Sequence, residues 1–280
     1  MAPKTIANAG RKGGNVGAHI VLIVGSLVMI FPFVWEIIVS LSTQAQATSA
    51  PPTFWPGILQ FDNFAKVFEQ VPFFNQLLVS VAITVIRVTA QVVLCSMAGY
   101  AFARLQFPFS RVLFALVLAI LMVPSQVFLI TQYQIVQTLG LLNTIGGIVA
   151  PGLFNAFGVF LMRQFFLGIP DELDEAARLD GANPFQVFWR VMLPLATSGI
   201  SALVVIGVLI SWNDLLWPLV VSSSSSGQPL SVGLANLQGQ YSVQYPVLMA
   251  ASLMASGPII ILFLAMQRRV IDGLAHSGLK

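Results

Sequence analysis

Asp171-Glu172-Leu173-Asp174-Glu175-Ala176-Ala177-Arg178-Leu179-Asp180-Gly181-Ala182 is a strongly polar island in an otherwise lipid-soluble chain. Five of the ten acidic residues of the protein fall within 171–182. Around the island, 57% of the 280 residues are hydrophobic and only 8% are charged, against about 25% charged in a soluble domain. So few charges cannot cover a water-soluble fold of this length, which excludes that class. The apolar runs are about 20 residues long rather than about 10 with strict alternation, which selects spanning helices over spanning strands. A membrane chain that gathers its charge in one internal segment uses that segment in water, against something soluble.

Six apolar runs separate at 18–41, 73–98, 112–131, 145–162, 196–220 and 247–267. At about 1.5 Å of rise per residue, each is long enough to cross roughly 30 Å of hydrocarbon. The fourth is short and glycine-rich. Pro124, Pro151 and Pro258 fall in or beside spans, where neighbouring helices can satisfy the freed backbone groups. The expected fold is all-α integral membrane, with six transmembrane helices in a single domain 1–280. A tail at 1–17, a large loop at 163–195 and a tail at 268–280 flank them.

Six spans place both termini on one side of the membrane. The segments on that side hold Lys4, Arg11, Lys12, Arg104, Arg111, Arg163, Arg178, Arg190, Arg268, Arg269 and Lys280. The opposite side holds only Lys66, and Arg87 lies within a span. The positive-inside rule then makes both termini, and the island between spans four and five, cytoplasmic. Ala45-Gln46-Ala47 resembles a signal-cleavage site after a basic N-terminus. The apolar run before it is longer than a signal core, so an uncleaved first span is expected.

Two segments project to the other side. Residues 42–72 carry Pro51-Pro52, Trp55-Pro56-Gly57 and Phe61-Asp62-Asn63-Phe64, an irregular aromatic-bearing loop. Residues 221–246 carry the run Ser222 to Ser226, which reads as a flexible hinge, followed by Asn236, Gln238, Gln240, Tyr241, Gln244 and Tyr245. Those amides and tyrosines form either a solvated loop or a surface for a polar partner.

The island itself reads as a helix. Asp171 is the expected N-cap, with acids in the first turn where the helix dipole favours them. Leu173, Ala176, Ala177 and Asp180 share a face at three- and four-residue spacing. Gly181 ends the helix as a left-handed cap. Asn183-Pro184 opens a second short helix through Phe185, Val187, Phe188 and Trp189, and Leu193-Pro194 leads into the fifth span. Ala176 and Ala177 remove side-chain bulk, so another surface can approach closely. Glu175 beside them offers a carboxylate to a partner's arginine. A helix lying passively on lipid is usually basic on its polar face. This one is acidic, which argues for a protein partner.

Glu175-Ala176-Ala177, then Gly181, then Leu193-Pro194 resemble the cytoplasmic EAA loop of binding-protein-dependent ABC importer permeases. Four further stretches resemble the maltose-type carbohydrate subfamily: Ala98 to Arg104, Phe160 to Phe166, Ser211 to Leu219, and Gln267-Arg268-Arg269 to Gly273-Leu274. The likeness runs from about residue 18 to the C-terminus. It implies a type I importer permease fold in a bacterial-type cytoplasmic (inner) membrane, without enzymatic activity. It also implies a homologous second permease subunit, two ATPase subunits, an extracytoplasmic solute-binding protein and a lipid surround. By this resemblance Glu175, Ala176, Ala177, Asp180 and Gly181 form the coupling helix that seats in an ATPase cleft. No cofactor is expected on this chain, and ATP and Mg sit on the partner ATPases. The C-terminal tail reaches toward the ATPases, and Gln238, Gln240 and Tyr241 become candidate contacts for the binding protein.

The residues themselves agree that ATP binds elsewhere. No phosphate-cradling Gly-x-x-x-x-Gly-Lys-Ser/Thr pattern occurs, and Gly10-Arg11-Lys12-Gly13-Gly14 lacks its order. The acids of the island have no His or Cys beside them and are scattered by helical spacing, so a metal site is not expected there. Within the spans, Arg87 lies about 21 Å deep by helical rise, where a charge is costly and marks function by default. Three pairings stay open for it: Glu36 or Asp214, the solute, or a partner permease. Asn213 and Asp214, with Trp212 and Trp217 beside them, have the planar hydrogen-bonding groups and aromatic faces that bind sugars. Helix packing is the other use of such a cluster. Gln126, Gln132, Tyr133 and Asn155 carry the same two readings. Cys95 reads as a small buried hydrophobe. A self-contained secondary transporter or channel for a small polar solute is the alternative function. It predicts internal repeats or charged midplane sites on broken helices.

Overall fold

The computed structural model describes residues 15–223, 227–239 and 243–277, and every regular element among them is helical. A predominantly apolar run builds α1 (Asn15–Ser40). A short turn, α2 (Gln44–Ala47), follows behind a reciprocal Thr43–Gln46 capping box. The polar α3 (Asp62–Gln70) precedes the long α4 (Phe73–Arg104). After α5 (Ser110–Ile120) come a 3₁₀ turn at Ser125–Phe128 and α6 (Leu129–Thr138). Then α7 (Ile145–Val149), a 3₁₀ turn at Ala150–Gly152 and α8 (Ala156–Leu167) lead to α9 (Asp171–Leu179). A contorted stretch contains α10 (Pro184–Val187), a π turn at Phe188–Met192 and α11 (Leu193–Leu195). The chain ends with α12 (Thr197–Trp212), α13 (Leu216–Val221), α14 (Leu230–Gln238) and α15 (Tyr245–Ser277).

Three helices are long and apolar enough to cross a membrane: Val16–Ser40, Phe73–Arg104 and Tyr245–Ala265. The other expected spans are not single straight helices. Ser110–Ile120 and Ser125–Thr138 meet at 93°, and Ile145–Gly152 and Ala156–Leu167 at 47°. Pro184–Leu195 and Thr197–Trp212 meet at 76°. The run 196–220, read from sequence as one span, stops at Trp212 and resumes as α13 beyond Asn213 to Leu215. The causes are local. Pro124 and Pro151 remove backbone donors. Asn155 restarts the helix as an extended N-cap whose side chain accepts from the Gly158 N–H. Hydropathy is blind to such breaks because the flanking residues stay apolar.

The helix α4 is the axis of the molecule. Cys95 and Tyr100 near one end pack with Val159, Met162 and Phe166 of α8, and with Val187, Phe188 and Met192 of the stretch after α9. Val79 and Ile83 nearer the other end pack with Val136, Ile148, Trp217 and Val221. At the far end, Phe73 joins Val67 of α3, Leu230 and Leu237 of α14, and Val247 and Ala251 of α15. By contrast, α1 keeps its apolar side chains exposed up to Val34 and buries only Val39 and Ser40 near its end. In a membrane that flank faces lipid or another subunit.

One stripe of α4 is polar and buried: Gln76, Ser80, Thr84, Arg87 and Gln91, spaced by four, four, three and four residues. This stripe serves the breaks in its neighbours. Ser80 Oγ accepts from the Leu230 N–H at the start of α14 (2.7 Å). Arg87 donates to the Ile148 carbonyl (2.6 Å), and Gln91 to the Gly152 carbonyl (2.7 Å). Next along the stripe, Cys95 donates to the Asn155 carbonyl (3.4 Å). A backbone group left unpaired in hydrocarbon costs several kcal/mol. At the break between α7 and α8, α4 supplies the missing partners.

Candidate functional site

Two regions carry the sequence-predicted residues, the α9 surface and a polar cavity beside the middle of α4. Helix α9 starts one residue earlier than its acids suggested. Pro170 flanks it in an extended conformation with no side-chain cap bond, and Asp171 is the first helical residue rather than the N-cap. The Asp171 carboxylate instead pairs with Arg104 in the last turn of α4. The Arg104 guanidinium also donates to the carbonyls of Phe166 (2.8 Å) and Ile169. Its side chain is only 6% exposed, so one buried cation ties together the end of α8, the start of α9 and α4.

The end of α9 follows the sequence reading. Gly181 has φ +83°, and its N–H reaches the Arg178 carbonyl while the Ala182 N–H reaches that of Ala177, both at 3.0 Å. This paired pattern is a Schellman cap. Asn183 and Gln186 then cap α10 reciprocally, with Pro184 in the first turn.

The two faces of α9 differ from the expected grouping. Ala176 and Ala177 do not act together: Ala177 packs against the core beneath, while Ala176 faces outward. The inner side also holds Asp174, which is buried and gripped by Arg178 through Nε and Nη2, both at 3.0 Å. That hydrogen bond holds the Arg178 guanidinium above its ordinary pKa. Beneath lies an aromatic nest of Tyr100, Phe166 and Phe188, with ring centroids 5.2 to 6.2 Å apart. The outer side presents Glu172, Leu173, Glu175, Ala176, Leu179 and Asp180, all exposed. Leu179 is 89% exposed, an apolar side chain standing in water beside two acids. A helix fixed from behind by ion pairs and aromatics, and presenting a small acidic face with two leucines, suits a protein cleft.

The polar cavity measures about 540 Å³ and opens between α4, the 3₁₀ turns and the α12–α13 break. Arg87 lies in its wall, with Nη1 2.7 Å from Asp214 Oδ2. Of the pairings left open by sequence, this structure makes the one with Asp214. The arginine side chain is 7% exposed and the aspartate 22%, so the carboxylate is the wetter partner. Gly152 is required where the chain passes the guanidinium, since a Cβ there would lie 2.7 Å from Arg87 Nε. Asn213, Gln126, Gln132 and Asn155 also line this cavity. The indole of Trp212 does not. It donates to the Ala255 carbonyl (3.2 Å) and lines a second cavity of about 300 Å³ with Ser231 and Gln238. Trp217 is buried in the wall of the larger cavity and donates to the Gly147 carbonyl (3.2 Å). Tyr133 packs against the apolar cluster around Val136 rather than lining the cavity.

Gln238 is exposed at the end of α14, while Gln240 and Tyr241 lie outside the described residues. So do Lys4, Arg11 and Lys12, Ser224 to Ser226 of the serine run, and the side chains from Arg268 onward. Ser222 is buried, and Ser223 bonds to Asn143 Oδ1 through its N–H (2.7 Å), so the described part of that run is held. Sequence reasoning missed Arg104 as the clamp of α9, and it missed Gln91. The four-residue step from Arg87 to Gln91 was the available signal for the second. Nothing in the local pattern gave the first.

Residues 91–275 match the family model described as the binding-protein-dependent transport system inner membrane component. The chain is 36% identical over 91% of its length to the arabinooligosaccharides transport system permease protein AraQ of Halalkalibacterium halodurans, covering 92% of that protein. It is 31% identical to the sn-glycerol-3-phosphate transport system permease protein UgpE of Yersinia pestis, over 95% of this chain and 98% of the other. It is also 31% identical to the lactose transport system permease protein LacG of Rhizobium radiobacter, over 95% and 97%. Its fold matches a chain in the crystal structure of a bacterial ABC transporter involved in importing the acidic polysaccharide alginate. The TM-score there is 0.80 at 24% identity, covering 95% of this chain and 99% of that one. A second match, with a TM-score of 0.53 at 15% identity, is to the alginate transporter in complex with its pentasaccharide-bound periplasmic protein. On this family match and these full-length relatives, the chain belongs to the inner membrane components of binding-protein-dependent transport systems, as a permease subunit.

Proposed function

We propose that this permease forms half of the pore of an ATP-driven importer for a sugar or sugar-like solute. In this reading it crosses the inner membrane six times, each bent helix pair or broken run serving one crossing, with both termini in the cytoplasm. A homologous second permease completes the pore. Two ATPase subunits, which hold ATP and Mg, dock on α9 and its counterpart. A solute-binding protein delivers cargo at the opposite face, where Gln238, Gln240 and Tyr241 are candidate contacts.

The observation that carries the reading is the two-sidedness of α9. Its inner face is held by Arg104–Asp171 and by Asp174 over Tyr100, Phe166 and Phe188. Its outer face, with Glu175, Ala176, Leu179 and Asp180, is exposed among the described residues. A push on such a helix moves the body behind it as a rigid unit, which is what alternating access driven by ATPase closure requires. Asp180 and Gly181 set where that face ends.

The cargo class is supported by the cavity and by the relatives. Arg87 is neutralised by Asp214, and the remaining polar lining near Asn213 is amide and hydroxyl. These groups hydrogen-bond hydroxyl-rich solutes. The relatives' names specify arabinooligosaccharides, lactose and sn-glycerol-3-phosphate. Trp212 contributes from the second cavity, on the other side of Asn213.

The test is a Glu175→Lys permease expressed with its partner subunits. The variant inserts and pairs normally but loses copurifying ATPase and solute uptake. Retained ATPase binding with full uptake overturns the assignment of α9.

A further inference from the structure

We propose that the segment between α1 and α3 is an aromatic anchor, seated in the bilayer leaflet at the membrane face opposite α9. The segment's depth is fixed by its tethers. It leaves α1 after Ser40, and the Gln60 N–H returns to the Leu41 carbonyl at 2.9 Å. The buried Asn63 amide donates to the carbonyls of Ser40 (2.9 Å) and Ser42 (3.0 Å). Both ends of the loop are therefore stitched to the last turn of α1, which is the end of an apolar crossing. This loop cannot stand away in water as a free extension would.

At that level it presents the wrong side chains for water and the right ones for a lipid interface. Phe54, Trp55, Ile58 and Phe61 are between 65% and 76% exposed. No Asp, Glu, Lys or Arg occurs from Ile37 to Phe61. The Phe54 ring meets Trp35 of α1 edge-on, with centroids 5.6 Å apart. Trp35 lies five residues before the end of α1, or about 7.5 Å down the helix. Phe54 thus points back along the span, toward hydrocarbon. Several of the loop's polar groups pair with one another. Gln46 and Thr43 cap each other, and Ser49 Oγ donates to the Gln46 carbonyl (2.9 Å) and lies 3.0 Å from Thr43's later neighbour in the loop, Thr53 Oγ1. Irregular backbone is not tolerated in the hydrocarbon core, but aromatic side chains collect at its boundary. The patch is continuous with the exposed apolar flank of α1. Lipid is therefore the occupant the geometry favours over a water-soluble protein.

The experiment places a nitroxide at Trp55→Cys in a Cys95→Ser background, with Ile58→Cys as a second site and Glu69→Cys as a reference. The full transporter complex is reconstituted in lipid. Power saturation compares collision with oxygen, which partitions into lipid, and with a water-soluble nickel chelate. The anchor predicts an oxygen-to-nickel ratio several-fold higher at both loop sites than at residue 69. A ratio equal to the reference means a water-facing loop and overturns the proposal. Low collision with both reagents means coverage by a protein subunit and overturns it equally.

Discussion

Asp214→Asn should cost this protein more than Arg87→Gln, although each breaks the same ion pair. The guanidinium is 7% exposed and the carboxylate 22%. Removing the carboxylate's charge leaves a cation buried beside the Ile148 carbonyl with nothing to balance it. Breaking a buried pair that way costs about 3–5 kcal/mol. Removing the arginine leaves a carboxylate that reaches the cavity and its water. It also orphans the Ile148 carbonyl, whose loss is worth about 1–3 kcal/mol. In the double variant, Arg87→Gln with Asp214→Asn, two neutral amides face each other and no charge is stranded. The double variant should therefore be more stable than Asp214→Asn alone, a coupling on the order of 2 kcal/mol. The assay is thermal unfolding of the assembled permease in lipid nanodiscs, followed for wild type, both single variants and the double. The reasoning is refuted if Arg87→Gln is the worse single variant, or if the two single effects simply add.

Two further outcomes follow from the α9 clamp. Arg104→Gln releases Asp171 and the carbonyls of Phe166 and Ile169 together. The complex should still assemble but import less solute per ATP hydrolysed, measured on equal amounts of purified complex in proteoliposomes. An unchanged ratio limits Arg104 to a structural role. Gly181→Ala meets no atom within 4 Å, so its effect is confined to the left-handed backbone at φ +83°. That strain is about 1–2 kcal/mol; if α9 relieves it by unwinding its last turn and must rewind to dock, ATPase binding weakens by up to roughly tenfold in a titration of the ATPase onto permease nanodiscs, and unchanged binding would refute this.

Much of the architecture was legible because the bilayer imposes it. Long, charge-poor apolar runs gave the helical membrane class, and the acidic island gave α9, Gly181 its end, and Asn183-Pro184 the next start. The α9 details that failed were tertiary. Asp171 looked like a cap because caps are local, but Pro170 took the flanking position and Arg104, 67 positions upstream in sequence, took the carboxylate. Ala176 and Ala177 looked equivalent as a pair, yet helical rotation sends one to the core and one to water. The breaks in the runs 112–131, 145–162 and 196–220 were hidden because hydropathy measures solvent preference and not continuity. Their remedy was visible in part. Arg87 drew notice as a lone charge, whereas its neighbours Gln76, Ser80, Thr84 and Gln91 passed as ordinary polar residues. Only their common face shows that they form one stripe. Trp212 and Asp214, two residues apart, were read as one cluster, but the break between α12 and α13 turns them into different cavities.

The central claim is that α9 is a dock through which separate ATPases drive transport. Its most direct measurement is uptake of the binding protein's own solute into proteoliposomes holding this permease, its paired permease and the ATPase subunits. The account predicts uptake only with ATP, the ATPases and the solute-binding protein all present, and its loss when Glu175→Lys is the sole change. Uptake by this chain alone, without ATPase or ATP, would contradict it and would support a self-contained carrier.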